Sequence, residues 1–216
     1  YKKKPWRDMG RVKDHYYCHS RSRSPNRKMM PSLPAPQPKT WTIGPAIEAS
    51  DGNIKTFPLS NGGVDITVAM QGCLAPFDAS SFSEGPRKNL LLRLPAVWEA
   101  SWERIDTDIV ELAQTHATTL FGQALSEQDL LGRYKPVTAK NGKYARQLKA
   151  KLVTEGFHAA RFWDPLKRRT DPTTSTANCT YNIVVKVRAI WVSTENFGLV
   201  VDTTDLQSTD VAECPF

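Results

Sequence analysis

Residues 97–121 set the limits on what this chain can become. Trp98, Trp102, Ile105, Ile109, Leu112, His116 and Leu120 recur at steps of three and four, the stripe of one long amphipathic helix. Acids crowd its first half (Glu99, Glu103, Asp106, Asp108), where the helix dipole favours them, and Gly122 suits the position just past its end. His116 continues the apolar stripe and reads as a packed core histidine. On both sides of this helix the apolar period drops to two. VDITVAM sets Val64, Ile66, Val68 and Met70 against Asp65, Thr67 and Ala69, and YNIVVKVRAIWV has one wholly apolar face (Tyr181, Ile183, Val185, Val187, Ala189, Trp191). A single long helix among strands excludes the βαβ alternation of a doubly wound sheet.

The remaining segments fill in about seven or eight short strands. WTIGPAIEA from Trp41 reads as a first strand, closed by an Asp51-Gly52-Asn53 turn, and IKTFPLS leads into Asn61-Gly62-Gly63. Residues 71–88 read as a loop rich in Ser, Gly and Pro, and NLLLRL as a strand stopped by Pro95. Ser126-x-x-Asp129 opens a second short helix with a capping box. YARQLKAKLVT and FHAARFWD are extended, the latter putting Phe157, Arg161 and Trp163 at one parity. Residues 164–179 form a polar loop, and FGLVVDT is the last strand. The predicted class is mainly β with one long helix (α+β): an OB-like small barrel with an inserted helix, since closure removes strand edges and leaves one face for a ligand. The domain spans 41–207, preceded by an arm over 1–40 and followed by an acidic tail over 208–216.

Charge is unevenly placed within the formal total of +7. Residues 1–40 carry a net +9 and 133–169 another +9, against −7 for 41–132 and −4 for 170–216. Two basic blocks in an otherwise acidic chain point to a polyanion. The arm holds KKKPWR, an SRSRSP tract open to phosphorylation, and a proline-rich linker, a composition that cannot bury a core. His15, Cys18 and His19 lack a fourth zinc ligand nearby, so no metal is expected. The four cysteines (Cys18, Cys73, Cys179, Cys214) are dispersed without a CxxC pair, which suits a reducing intracellular compartment. KKKPWR points to the nucleus, or to a virus-infected cell compartment. No apolar run is long enough to span a membrane.

The second basic block interleaves cations with rings: Arg133, Lys135, Lys143, Tyr144, Arg146, Lys149, Lys151, Phe157, Arg161, Trp163, Lys167, Arg168 and Arg169, to which Lys186 and Arg188 add the mixed face of a later strand. Cations for phosphates and flat rings for bases are what a single-stranded nucleic-acid groove needs. Lys167 to Arg169 would form a flexible clamp. RNA offers the same phosphates and bases, and only the sugar 2′ position separates the two. No Gly-rich phosphate loop, HExxH or nucleophile elbow is present, and Asp106 and Asp108 are two apart on a helix and do not face each other. The expectation is a noncatalytic binder of single-stranded DNA without cofactors, in replication, recombination or repair. A structural RNA-binding subunit of a ribonucleoprotein is the alternative, with a metal-dependent nuclease third.

The order NLLLRLP, long helix, KYARQLKAKL, charged loop, YNIVVKVRAIWV and FGLVVDTTDLQ resembles, over residues 85–207, the single-stranded DNA-binding proteins of short-tailed phages and similar proteins of large DNA viruses. The resemblance implies an OB barrel interrupted by a helix. It also implies an acidic C-terminal tail, here Asp202, Asp205, Asp210, Glu213 and Phe216, that competes for the groove and recruits replication or repair proteins. The Arg/Ser arm departs from the phage pattern and suggests a eukaryotic setting or a virus of eukaryotes.

Overall fold

A computed structural model describes residues 37–49, 52–80, 85–140, 142, 144–173 and 175–209. The arm through residue 36 with its SRSRSP tract and His15/Cys18/His19 set, Lys143, and the tail residues Asp210, Glu213 and Phe216 lie outside the described residues.

Five strands carry the architecture. They are β4 (Ile66–Ala75), β5 (Arg87–Arg93), β8 (Gln147–Val153), β11 (Cys179–Val192) and β12 (Phe197–Ser208). Their pairings run β11–β4–β5–β8–β12 and return to β11, an OB-like cycle with a mainly β content and one long helix. Two seams are narrow: β4 meets β5 at Leu74 and Arg93 alone, and β8 meets β12 at Lys151 and Asp202 alone. The long β11 also carries β3 (Lys55–Asn61), which pairs with β1 (Trp41–Ile43) and β2 (Ile47–Glu48). Short strands complete the sheet: β6 (Tyr134–Lys135), β7 (Thr138–Ala139), β9 (Arg161–Trp163) and β10 (Arg169–Thr170).

Between β5 and β8, which pair antiparallel over seven residues, the chain inserts α1 (Ala96–Thr115), α2 (Ala117–Phe121) and α3 (Glu127–Arg133). The stripe on α1 buries Trp102, Ile105, Ile109 and Leu112 against Leu90, Leu92, Leu148, Val185 and their neighbours. The Trp102 indole donates to Met70 Sδ at 3.0 Å, so the ring fills the core without leaving an unpaired N–H. Ser126 and Asp129 cap each other at the start of α3 as expected.

Several expectations need correction. The first strand divides at Gly44-Pro45, where proline cannot donate to a ladder. Residues 71–75 belong to β4: Gly72, at φ +70°, sits in a bulge whose amide donates to Asn182 Oδ1 at 3.3 Å, so a residue that looks like a strand breaker lets the strand continue. The helix breaks at His116, which is half-buried at the α1–α2 junction instead of extending the core stripe. Thr115 bonds back to the Glu111 carbonyl there, and two further β-branched residues follow in α2. Asp202 and Asp205 are not tail residues; both lie within β12.

Candidate nucleic-acid interface

Period-two alternation sorts each strand into a core face and an outer face. On β8, Leu148, Ala150 and Leu152 are buried, which turns Lys149 and Lys151 outward. On β11, Ile183, Val185 and Val187 are buried and Lys186 faces out. Arg188 keeps the parity of Lys186, between buried Val187 and Ala189, and is the extra residue of a bulge against β12. β5 adds Arg87 and Asn89 opposite the parity of buried Leu90 and Leu92.

Two of these side chains, Arg87 and Arg188, meet at Asp202. Its carboxylate accepts from Arg188 Nε at 2.6 Å and Arg87 Nη2 at 3.4 Å, and its register partners are Lys151 on β8 and Lys186 on β11. Lys186 pairs with Asp65 at 2.7 Å, and the Lys151 ammonium donates to Asn89 Oδ1 at 2.6 Å. Lys149 pairs with no acid among the described residues. One carboxylate therefore sits among Arg87, Lys151 and Arg188, and the local excess is positive. Burial lowers the Lys151 pKa, with Arg87 and Lys149 adding to the fall and Asp202 opposing it. A second anion at this position would relieve that crowding.

A different arrangement lies along β9. Phe162 points into the core, leaving exposed Arg161 and half-buried Trp163 on the outer face. Asp205 on β12 holds both: Oδ2 accepts from Arg161 Nη2 at 2.7 Å and Oδ1 from the Trp163 indole at 2.9 Å. Burial pushes the Asp205 pKa up, yet the hydrogen bonds from Arg161 and Trp163, with the Arg161 charge, leave it below the ordinary aspartate value.

Other sequence candidates fall elsewhere. Phe157 does not share the β9 parity, because Gly156 (φ +83°) turns the chain and Ala159 N–H bonds back to Gly156 O at 3.1 Å. Its ring is 98% exposed, edge-on to His158 with centroids 5.1 Å apart. Arg146 turns away from the open face: its side chain is 13% exposed, 2.9 Å from Glu103 and 3.0 Å from Thr138 Oγ1. It ties the entry of β8 to helix α1. Tyr144 is exposed on the preceding loop. Arg133 and Lys135 flank the far end of β12, where β6 pairs with Phe197 and Gly198, and Arg133 lines a separate cavity of ≈ 550 Å³ with Lys55 and Phe57. Lys167 (φ 63°) and Arg168 lie in the turn between β9 and β10, and Arg169 opens β10 in register with Trp163; Arg168 is held by Asp164 at 2.6 Å, so the turn is less free than a flexible clamp implies. Arg87, Asn89 and the two ordering carboxylates were missed. The parity of Arg87 against Leu90 and Leu92 was a usable signal; the positions of the carboxylates depend on register.

No protein-family model and no curated protein sequence matches this chain. Among solved structures, its OB-like arrangement is similar to phage single-stranded DNA-binding proteins, the class whose element order the sequence resembles. One is the single-stranded DNA-binding protein of bacteriophage Enc34 with a C-terminal truncation: 12% identity, TM-score 0.46, covering 81% of this chain and 98% of that one. The same phage protein in complex with single-stranded DNA gives 11%, 0.45, 80% and 97%. Gp2.5, a single-stranded DNA-binding protein encoded by bacteriophage T7, gives 13%, 0.44, 71% and 91%.

Proposed function

We propose that this protein binds single-stranded DNA, without catalysis, across the outer face of β5, β8, β11, β12 and β9. The observation that carries the reading is the pairing of two surfaces on one set of strands: a cationic cluster (Arg87, Lys149, Lys151, Lys186, Arg188) and a flat ring, Trp163, beside Arg161. The first suits phosphodiesters and the second suits unstacked bases, which a duplex does not offer. The long helix is ill suited to a duplex groove, since its exposed face carries Glu103 and Glu111. Arg133, Lys135, Lys143, Tyr144, Phe157 and Lys167 to Arg169 are assigned to peripheral contacts along the strand's path. A role in replication, recombination or repair, recruitment of partners by the tail, and nuclear delivery by KKKPWR extend the same reading.

Fluorescence anisotropy with a dT thirty-mer, the matched duplex and a structured RNA hairpin, each at two salt concentrations, tests it. Tight, salt-sensitive binding to dT is expected, and Trp163→Ala should weaken it by about five- to 150-fold, the equivalent of one base–ring stack. Preference for the hairpin would favour a ribonucleoprotein subunit, and no binding to any of the three would overturn both.

Lys151 adds a pH signature. Its pKa is depressed in the free protein and would rise beside a phosphate, so between the two values binding takes up a proton. Affinity for dT should then fall as pH rises through the depressed value, before ordinary lysines titrate. Lys151→Arg, which stays charged, should remove that early fall in a pH 7 to 10 anisotropy series.

A further inference from the structure

The two aspartates on this face do different jobs, although either looks at first like a flaw in a surface meant for phosphates. Asp202 is outnumbered by the cations around it. Asp205 instead faces one cation, Arg161, and one neutral ring edge, and its two oxygens are divided between them. Its side chain is 15% exposed while that of Arg161 is 52% exposed, so the carboxylate lies beneath the surface that the arginine and the indole present.

The backbone places it there. Asp205 is in register with Arg161 and with Val184, and Gln207 is in register with Trp163. Just before it, Thr204 is the extra residue of a bulge, with its hydroxyl bonded to Val184 O at 3.1 Å. The bulge resets the parity of β12, so Asp205 can lie beneath a platform formed from β9.

Resting on the single-stranded DNA reading above, we infer that Asp205 is a positioning residue that fixes the Trp163 ring and the Arg161 plane as a base platform and cancels the charge there. The strand's bases then lie toward β9, and its phosphates toward the Lys149–Lys151–Arg188 side. A tryptophan held at its N–H in the free protein has less rotational freedom to lose when a base stacks on it. The Arg161 guanidinium, already paired, contributes its flat face more than its charge.

The inference makes a prediction of opposite sign to simple electrostatics. If Asp205 merely repelled phosphates, removing its charge would tighten binding. As a positioning residue, Asp205→Ala should weaken binding to a dT thirty-mer by about fivefold with little change in salt slope. An abasic oligomer of equal length should bind Asp205→Ala at least as well as it binds the native protein, which also reports an intact fold. In the Trp163→Ala background, Asp205→Ala should cause no further loss on dT. Asp205→Asn keeps an acceptor for the indole and should fall between Asp205→Ala and the native protein. If the native protein binds dT and Asp205→Ala binds it equally or more tightly, or if the two losses simply add, the positioning role is overturned and the binding reading survives. Failure of the native protein to bind dT would overturn both.

Discussion

Replacing Lys149, Lys151 and Arg188 together by alanine is expected to lower affinity for single-stranded DNA about 100-fold at 0.1 M salt and hardly at all near 1 M. The reason lies in where these side chains stand. All three project from strands whose opposite faces are core, so the substitutions remove charge without opening a cavity. Each phosphate contact on a single strand contributes about 0.7 to the slope of log affinity against log salt, so three should reduce it by about 2. Trp163→Ala should behave in the opposite way, with a loss that persists across the salt range because stacking releases few counterions. Titrations of both variants from 0.05 to 1 M salt would separate the two. If the triple variant kept the native slope, the outer face would not be the phosphate site.

The largest effect on stability is expected at Asp106. This carboxylate is 8% exposed and accepts three bonds from the segment that follows the helices: the Tyr134 hydroxyl at 2.5 Å, the Val137 amide at 3.1 Å, and the Thr138 hydroxyl. Burial first, then the charge of and hydrogen bond to Asp106, raise the Tyr134 pKa well above its ordinary value, so the phenol remains a donor throughout the accessible pH range. Arg146 joins the cluster through Thr138 and Glu103. Asp106→Ala leaves several buried donors without acceptors at once and should cost about 3 kcal/mol, with a Tm lower by roughly 6–12 °C. Asp106→Asn should recover most of this. Its oxygen can take Tyr134 and Val137, and its NH2 can donate to the Thr138 hydroxyl. Thermal melts of both variants would check the ranking; equal losses would show that charge, not hydrogen bonding, holds the cluster.

Much of the fold was legible because two periods are easy to tell apart. The α1 stripe and the alternations of β8, β11 and β12 follow from burial, and burial writes itself into sequence. Local geometry was harder. Gly72 is the same glycine whether it ends a strand or relaxes a bulge, and only Asn182, 110 residues away, decides between them. Phe157 follows a correctly read turn at Gly156, yet the turn carries on through Ala159 before the strand begins. The site was legible as a list of cations but not as an arrangement. Asp202 and Asp205 looked like the start of an acidic tail because their cross-strand neighbours come from segments some 14 to 115 residues distant in the chain. Arg146 looked like its neighbours Lys149 and Lys151, and only the path of the chain over the acidic first half of α1 turns it inward.

The narrow join between β8 and β12 gives the proposed ligand a mechanical part to play. The cycle of strands is like a hoop fastened there by a single stitch, Lys151 beside Asp202. The cations that would grip a nucleic-acid backbone stand on both lips of that gap: Lys149 and Lys151 on one, and Arg188 on the strand behind the other. A chain of phosphates laid across it would act as a clasp, tightening one of the two seams that the polypeptide ties by a single residue pair.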